Sequence, residues 1–84
     1  MDNNTRHVLM YFNSPPPGIP SDVEAYPLVD GQDFTDQIEL PLLNNLITPL
    51  TLVFFGGGET GKRLADLYDG KHTENPTELP NLFS

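Results

Sequence analysis

Residues 50–58 decide the fold, because they read Leu-Thr-Leu-Val-Phe-Phe-Gly-Gly-Gly and join the clearest strand signal to a turn. The residues before the glycines are apolar except for one threonine, and such β-branched and aromatic side chains are typical of a β-strand. The glycines that follow end the strand. Beyond them, Thr60 can cap a helix that runs roughly from Gly61 to Asp69, and Gly70 can stop it. This stretch therefore predicts a strand, a glycine turn and a short helix.

A second apolar run lies near the start of the chain. Residues 5–12 read Thr-Arg-His-Val-Leu-Met-Tyr-Phe and are followed by Asn13, Ser14 and a run of prolines. Their β-branched and aromatic residues predict another strand, and the lack of strict alternation favours burial on both faces. The two strands and the apolar face of the helix form the expected core, which consists of Val8, Leu9, Met10, Phe12, Leu52, Val53, Phe54, Leu64, Leu67 and Tyr68.

Prolines and acidic residues fill the chain between these two strands. Residues 15–20 read Pro-Pro-Pro-Gly-Ile-Pro and offer few backbone donors for a sheet, so we expect an extended, polyproline-like arm. Residues 21–24, Ser-Asp-Val-Glu, fit a helix capping box, and Pro27 limits that helix to about one turn. Residues 34–47 mix helical and strand spacing around a proline, which favours an irregular or strand segment followed by a short helix over 41–47.

These segments predict an α+β fold: one small domain with two or three strands, one or two short helices and extended proline-rich arms. Within the domain 1–84, we expect a strand region over 1–14, a Pro/Gly-rich arm with turns over 15–33, a helix/strand/helix core over 34–70 and an extended tail over 71–84. Apolar residues make up only 37% of the chain, so the arms alone bury too little to offset their conformational entropy. We therefore expect the arms to become ordered against another protein.

The chain is acidic, with twelve acidic and four basic residues and a net charge of −8. Nucleic acids and anionic membranes attract clustered Lys and Arg, so direct binding to either is not expected. There is no cysteine, which excludes disulfides, thiol catalysis and thiolate zinc sites. Small secreted domains usually carry disulfides, and the N-terminal Met-Asp-Asn-Asn lacks the pattern of a cleavable signal peptide. These features predict an intracellular or virion setting.

One motif points to phosphate chemistry. Residues 56–63 read Gly-Gly-Gly-Glu-Thr-Gly-Lys-Arg between the predicted strand and helix, and they resemble the phosphate-binding loop of nucleotide hydrolases. The resemblance implies that the backbone around Gly56 and Gly61 surrounds phosphates and that Lys62 reaches the outer ones. Arg63 stands where that family places a Ser or Thr on magnesium. Glycines that leave a strand and enter a capped helix also explain the pattern without a ligand.

A second motif concerns the approach to the same strand. Ile47-Thr48-Pro49 precedes the strand and Gly58-Glu59 follows it, an order similar to the cis-proline loop and the strand after it in thioredoxin-like domains. Because the redox cysteines of that family are absent, the resemblance implies a non-catalytic relative.

Residues with other catalytic or metal-binding chemistry are sparse. His7 and His72 are the only histidines, and no carboxylate or hydroxyl forms a recognisable triad pattern with either. Asp30, Asp33 and Asp36 offer oxygen ligands for calcium, but the alternating ligand pattern of a calcium loop is missing, which favours a solvated turn. We therefore expect no enzyme activity, no metal and no cofactor.

The composition and the arms favour a function without catalysis. We expect a structural or protein-interaction subunit of a larger assembly, such as a viral capsid-associated or cement protein. The expected partner contacts are proline and apolar side chains of the arm and the tail: Pro15, Pro16, Pro17, Leu79, Leu82 and Phe83.

Two alternatives stay open. The first is a small acidic inhibitor, which would use the acidic residues of 22–39 to occupy a basic site on a partner enzyme as a nucleic-acid mimic. The same residues are also explained as a solubilising face, the reading that we favour. The second alternative is a phosphate-binding role of the loop from Gly56 to Lys62.

Overall fold

The computed structural model describes residues 6–28 and 49–83. Within these ranges the chain forms four strands, two α-helices and one 3-10 turn. The strands are β1 (Arg6–Phe12), β2 (Val23–Leu28), β3 (Leu50–Phe55) and β4 (Lys71–Thr73). The helices are α1 (Gly58–Leu67) and α2 (Leu79–Leu82), and the 3-10 turn at Pro76–Glu78 leads directly into α2. The predicted helix over 41–47 and the aspartates of the calcium pattern lie outside the described residues.

The strands form one sheet in the order β2-β1-β3-β4, and every pairing in it is parallel. β1 has a neighbour on each side, so that Leu9 lies opposite both Ala25 and Val53. Val8, Leu9 and Met10 are all fully buried. A strand that is covered on both faces needs apolar residues in succession, which is why the centre of β1 shows no alternation of polar and apolar residues.

Each face of the sheet has its own cluster of apolar side chains, because successive residues of a strand point to opposite faces. On the first face, α1 contributes Leu64 and Ala65 to a cluster with β1, β2 and β3. On the second face, α2 contributes Leu79 and Leu82, and the connection from β1 to β2 contributes Ile19. The core is therefore two layers deep, with the sheet between α1 and the C-terminal segment.

The order of the strands determines which connecting segments cover each face of the sheet. The connection from β1 to β2 and the connection from β3 to β4 run in opposite directions along the sheet. Because crossovers between parallel strands are right-handed, two that run in opposite directions must lie on opposite faces. The structure agrees with this rule, since Ile19 packs with α2 whereas the helix between β3 and β4 packs on the other face.

The mixed composition of strands and short helices is confirmed. The strand over 50–55 has the predicted bounds, and the strand predicted over 5–12 is present from Arg6. The described residues contain four strands, however, where the sequence predicts two or three. The capping-box prediction for 21–24 is wrong, because Val23 and Glu24 belong to β2. Only Val23 and Leu28 of that strand are buried, so its apolar pattern is too weak to compete with a helix signal.

The helix after the glycines is present, but it begins earlier than predicted. Its N-cap is Gly57, with φ of 78°, rather than Thr60, and its first residue is Gly58. Leu67 is 68% exposed, so its predicted place in the core is wrong, and Tyr68 packs only at the margin. The other predicted core residues are buried.

The tail lies on this sheet rather than extending from it, and Ile19 of the proline-rich segment packs on the same face. Pro16 is buried, whereas Pro15 and Pro17 are exposed. The segment from residue 71, which the sequence predicts to be an extended tail, starts with β4 and ends with α2, where Leu79 is 3% exposed. Burying one leucine stabilises a fold by about 1.5–3 kcal/mol, which explains why the segment returns to the sheet.

None of the helices within the described ranges combines the length and the apolar composition that crossing a bilayer requires.

Candidate functional site at the carboxyl edge of the sheet

The strand order places a candidate site between the carboxyl ends of β1 and β3. The chain moves outward from β1 to β2 on one side and from β3 to β4 on the other, so the direction reverses between β1 and β3. In open parallel sheets, ligands bind in the crevice outside the carboxyl ends of the strands at such a reversal. The residues at this position are those that follow Phe12 and those of the glycine loop, 56–58.

The glycine loop turns sharply from β3 into α1. Gly56, Gly57 and Gly58 have φ values of 81°, 78° and 54°, which place all of them in the left-handed region that glycine tolerates best. At Gly57 a Cβ atom would lie 2.4 Å from Cε1 of Phe12. The ring of Phe12 therefore packs directly against the loop at the reversal and leaves no room for a side chain at Gly57.

Gly61 serves the close approach of α1 to this loop. A Cβ atom at residue 61 would lie 2.1 Å from the carbonyl oxygen of Gly56 and 3.0 Å from Nε2 of His72. In β-α-β units that bind nucleotides, the last glycine of the loop has this same packing role. The two glycines from which the sequence predicts phosphate binding thus each have a structural reason: Gly56 has a left-handed backbone, and Gly61 has no room for a side chain.

The end of β4 supplies a carboxylate to the start of α1. The backbone N–H of Gly58 donates to Oε2 of Glu74 over 2.8 Å. Nε2 of His72 lies 2.9 Å from the same carboxylate oxygen and 3.0 Å from the carbonyl oxygen of Gly56. Both of these oxygens are acceptors, so Nε2 must carry a proton in order to bond to them. The Nε2–H group then donates to the Gly56 carbonyl and the Glu74 carboxylate together.

The Glu74 carboxylate occupies the position that a bound anion would take. A helix N-terminus attracts negative charge through its unpaired N–H groups and its dipole. Here Gly58 already donates to Glu74, Gly56 donates to the carbonyl of Thr73, and Gly61 donates to the carbonyl of Gly57. Lys62 is exposed on the first half of α1. A phosphate would have to displace the carboxylate, and phosphate binding at this loop stays a prediction.

Sequence reasoning missed the pair of His72 and Glu74. They are two residues apart around the end of a three-residue strand, so their side chains point to the same face and meet the loop of the neighbouring strand. A parallel β-α-β unit was the signal that could have found them, because it brings the carboxyl ends of both strands to one edge. The isolated sequence Lys-His-Thr-Glu carries no such signal.

The opposite face of β4 holds the C-terminal segment. Thr73 is buried, and its Oγ1 donates to Oε1 of Glu78 over 2.6 Å and accepts from the backbone N–H of Asn75 over 3.0 Å. The Asn75 side chain in turn accepts from the backbone N–H of Thr77 over 3.1 Å and caps the 3-10 turn. Lys71 reaches the carbonyl of Leu82 at 3.4 Å. These contacts fix the turn between the end of β4 and the C-terminal segment.

The C-terminal residues that the sequence predicts as partner contacts pack on the sheet of their own chain. Leu79 is buried in the second face of the sheet, and Leu82 and Phe83 pack beside it. The ring of Phe83 meets the ring of His7 edge to face, with centroids 5.7 Å apart. The apolar end of the chain thus contacts its own sheet, and contact with a partner through these residues stays a prediction.

A polar cluster lies on the edge strand β2. Arg6 of β1 forms a salt bridge with Glu24, and the Tyr26 hydroxyl donates to Oε1 of Glu24 over 3.1 Å. Burial raises the pKa of the Tyr26 phenol, and its hydrogen bond to the Glu24 carboxylate and the negative charge of that group raise it further, against a smaller lowering by Arg6. The cluster fixes the position of β2 against β1 on the first face of the sheet.

Within residues 6–28 and 49–83, no three His, Cys, Asp or Glu side chains come together in a way that could hold a metal ion. Comparison of the chain with protein-family models, curated proteins and solved structures gives no significant match.

Proposed function

We propose that this chain is a non-catalytic protein-interaction subunit of a larger assembly and that a partner binds at the β2 edge. The observation that carries the proposal is the position of β2, which pairs with β1 on one side and has no described strand on the other. An edge strand can template an added strand, because its outward backbone groups can pair with an extended segment of another protein.

The side chains of β2 suit such a contact. Val23 and Leu28 are buried and hold the two ends of the strand to the sheet, whereas Glu24, Ala25 and Pro27 are exposed between them. Proline is tolerated in sheets mainly on edge strands, so Pro27 fits this position. The opposite edge strand, β4, has only three residues. We therefore place the partner at β2 rather than at β4.

The contacts at the carboxyl edge fit a function without catalysis. Phe12 covers the glycine loop, and Glu74 and His72 bond to the loop and to each other. The type of subunit that we propose is a capsid-associated or cement protein in an intracellular or virion setting. The net charge of −8 disfavours direct contact of this subunit with nucleic acid.

The proposal is tested by capture of partners with the full chain and two matched variants. Ala25→Lys adds a charge to the exposed part of β2, and charges on an edge strand block strand addition. Leu67→Lys adds the same charge to an exposed position of α1 and serves as the control. We expect one partner, identified by mass spectrometry, to be retained by the wild type and by Leu67→Lys and lost by Ala25→Lys.

Two results would contradict the proposal: retention of the same partner by all three proteins, or no stoichiometric partner for the wild type. Repeating the capture at raised ionic strength distinguishes strand addition at β2 from the acidic-inhibitor alternative. A complex held by the charge of the chain loses affinity steeply as salt screens it, whereas backbone pairing at an edge strand does not.

Phosphate binding is a second candidate, supported by the position of the glycine loop between a parallel strand and a helix at the carboxyl edge. Its test is a titration with ATP and magnesium, followed by NMR of the amides from Gly56 to Lys62. Binding would shift the Gly58 amide as phosphate replaces Glu74. Unchanged signals at millimolar nucleotide would remove this candidate.

A further inference from the structure

Strand β4 holds two different parts of the molecule through its alternating side chains. On the first face, His72 and, just after the strand, Glu74 bond to the glycine loop. On the second face, Lys71 and Thr73 bond to the C-terminal segment, at the carbonyl of Leu82 and the carboxylate of Glu78. The glycine loop and the C-terminal segment therefore share one three-residue strand as their support.

The C-terminal segment, residues 75–83, is here called the strap. Its helix α2 has four residues, which is far shorter than an isolated helix needs to be stable in water. The strap is anchored by the buried side chain of Leu79, with Leu82 and Phe83 at the margin of the cluster. Its polar contacts with β4 include those of Glu78 and Asn75, which bond to Thr73, and that of the carbonyl of Leu82, which lies 3.4 Å from Lys71 Nζ. A short segment with one deep apolar anchor opens at a lower free energy than the whole fold.

Opening of the strap removes the support of β4 on the second face. β4 is an edge strand of three residues that pairs only with β3 among the described strands. Glu74 lies between that strand and the strap, so its position depends on both. The bonds at risk are those from Gly58 to Glu74 and from Gly56 to the carbonyl of Thr73, which is 3.0 Å away.

We propose that the strap is a latch for the glycine loop: release of residues 75–83 from the sheet withdraws Glu74 from the start of α1 and opens the loop while β1 and β3 stay paired. The latch couples the glycine loop to a segment that packs on the other face of the sheet. Its operation needs no partner and does not depend on the proposed interaction function.

The latch is tested by NMR on the full chain, with two readouts at the loop. Exchange of the Gly56 amide reports its bond to Thr73, and the chemical shift of the Gly58 amide reports its bond to Glu74. Leu79→Ser removes the deep anchor of the strap, and Leu67→Ser makes the same type of change at an exposed position of α1. Leu79→Ser should speed Gly56 exchange roughly tenfold and shift the Gly58 amide, while the chemical shifts of the central β1 amides stay those of the paired strand. Leu67→Ser should change neither readout.

A second variant weakens the strap without touching the apolar cluster. Glu78→Ala removes the carboxylate that accepts from Thr73, and we expect smaller changes at Gly56 and Gly58 in the same direction. Faster exchange at Glu78 and Phe83 with no change at the loop would overturn the proposal, because the strap would then open alone. Equal opening free energies for Glu78, Gly56 and the central β1 amides in the wild type would also overturn it, since the strap would then open only with the whole fold.

Discussion

The glycines at the junction of β3 and α1 have two separate roles. Some are needed for a left-handed backbone, and one is needed because its surroundings leave no room for a side chain. Gly56, Gly57 and Gly58 are needed for their left-handed backbone. Gly61 lies within α1 with no positive φ, and it is needed because the carbonyl of Gly56 and the ring of His72 leave no room for a side chain. A motif that resembles a ligand-binding loop can therefore arise from backbone conformation and packing together.

Gly61→Ala tests this packing role. Alanine favours a helix over glycine by about 0.5–1 kcal/mol, so an unobstructed site would be stabilised by the change. At Gly61 the added Cβ would lie 2.1 Å from an oxygen, and we expect a net loss of about 1–3 kcal/mol in the free energy of unfolding. Urea denaturation measures the loss, and Lys62→Ala, at the exposed next position, should stay within about 0.5 kcal/mol of the wild type. A Gly61→Ala variant as stable as the wild type would contradict the packing role.

Helix α1 depends on an element other than itself for its cap. No side chain of its own caps its start, and the carboxylate that accepts from Gly58 comes from the end of β4. The cap thus ties the two ends of the β3-α1-β4 unit together, which a cap from within the helix would not do. The exposed Glu59 adds a second negative charge to the first turn, where the helix dipole also favours it.

Glu74→Gln tests the contribution of this cap. The amide oxygen can still accept from Gly58, but the negative charge at the helix N-terminus is lost, and we expect α1 to lose about 0.5–1 kcal/mol of stability. Asp66→Asn makes the same change of charge near the other end of α1, where the dipole disfavours an acid, and should leave stability equal or slightly higher. Chemical denaturation compares the two variants. Equal stability of Glu74→Gln and the wild type would show that the cap contributes little.

The molecule as a whole is held by two apolar layers that meet at the centre of one sheet. Val8, Leu9, Met10, Val53 and Phe54 are all fully buried, and they come from only two strands. A folded chain of 84 residues has a total stability of roughly 4–12 kcal/mol, so the loss of any part of this centre is a large fraction of the whole. The strap and α1 add to it from opposite sides.

Val53→Asp should unfold the domain. Val53 is fully buried on the face that the strap covers, and an unpaired carboxylate there costs about 4 kcal/mol or more. Loss of the folded circular dichroism spectrum and of a cooperative thermal transition is the expected result. The same substitution at Leu67, which is 68% exposed, should leave the transition nearly unchanged. A folded Val53→Asp protein would contradict the buried position of this strand.

The sequence by itself determined the parts that depend on neighbours along the chain. The apolar runs that form β1 and β3, the glycine break after Phe55 and the helix that follows it were all predicted, because each has a local signal. The strands β2 and β4 were not predicted, since an edge strand buries few residues and lacks a strong apolar pattern.

Only the tertiary structure decided which segments meet. The parallel order β2-β1-β3-β4 brings the carboxyl ends of β3 and β4 to one edge, and that placement puts Glu74 and His72 on the glycine loop. It also gives Leu79 a face of its own sheet to cover, where the sequence favours a partner. The physical reason is that pairing between distant strands is set by the burial of whole faces, and no short stretch of residues contains that information.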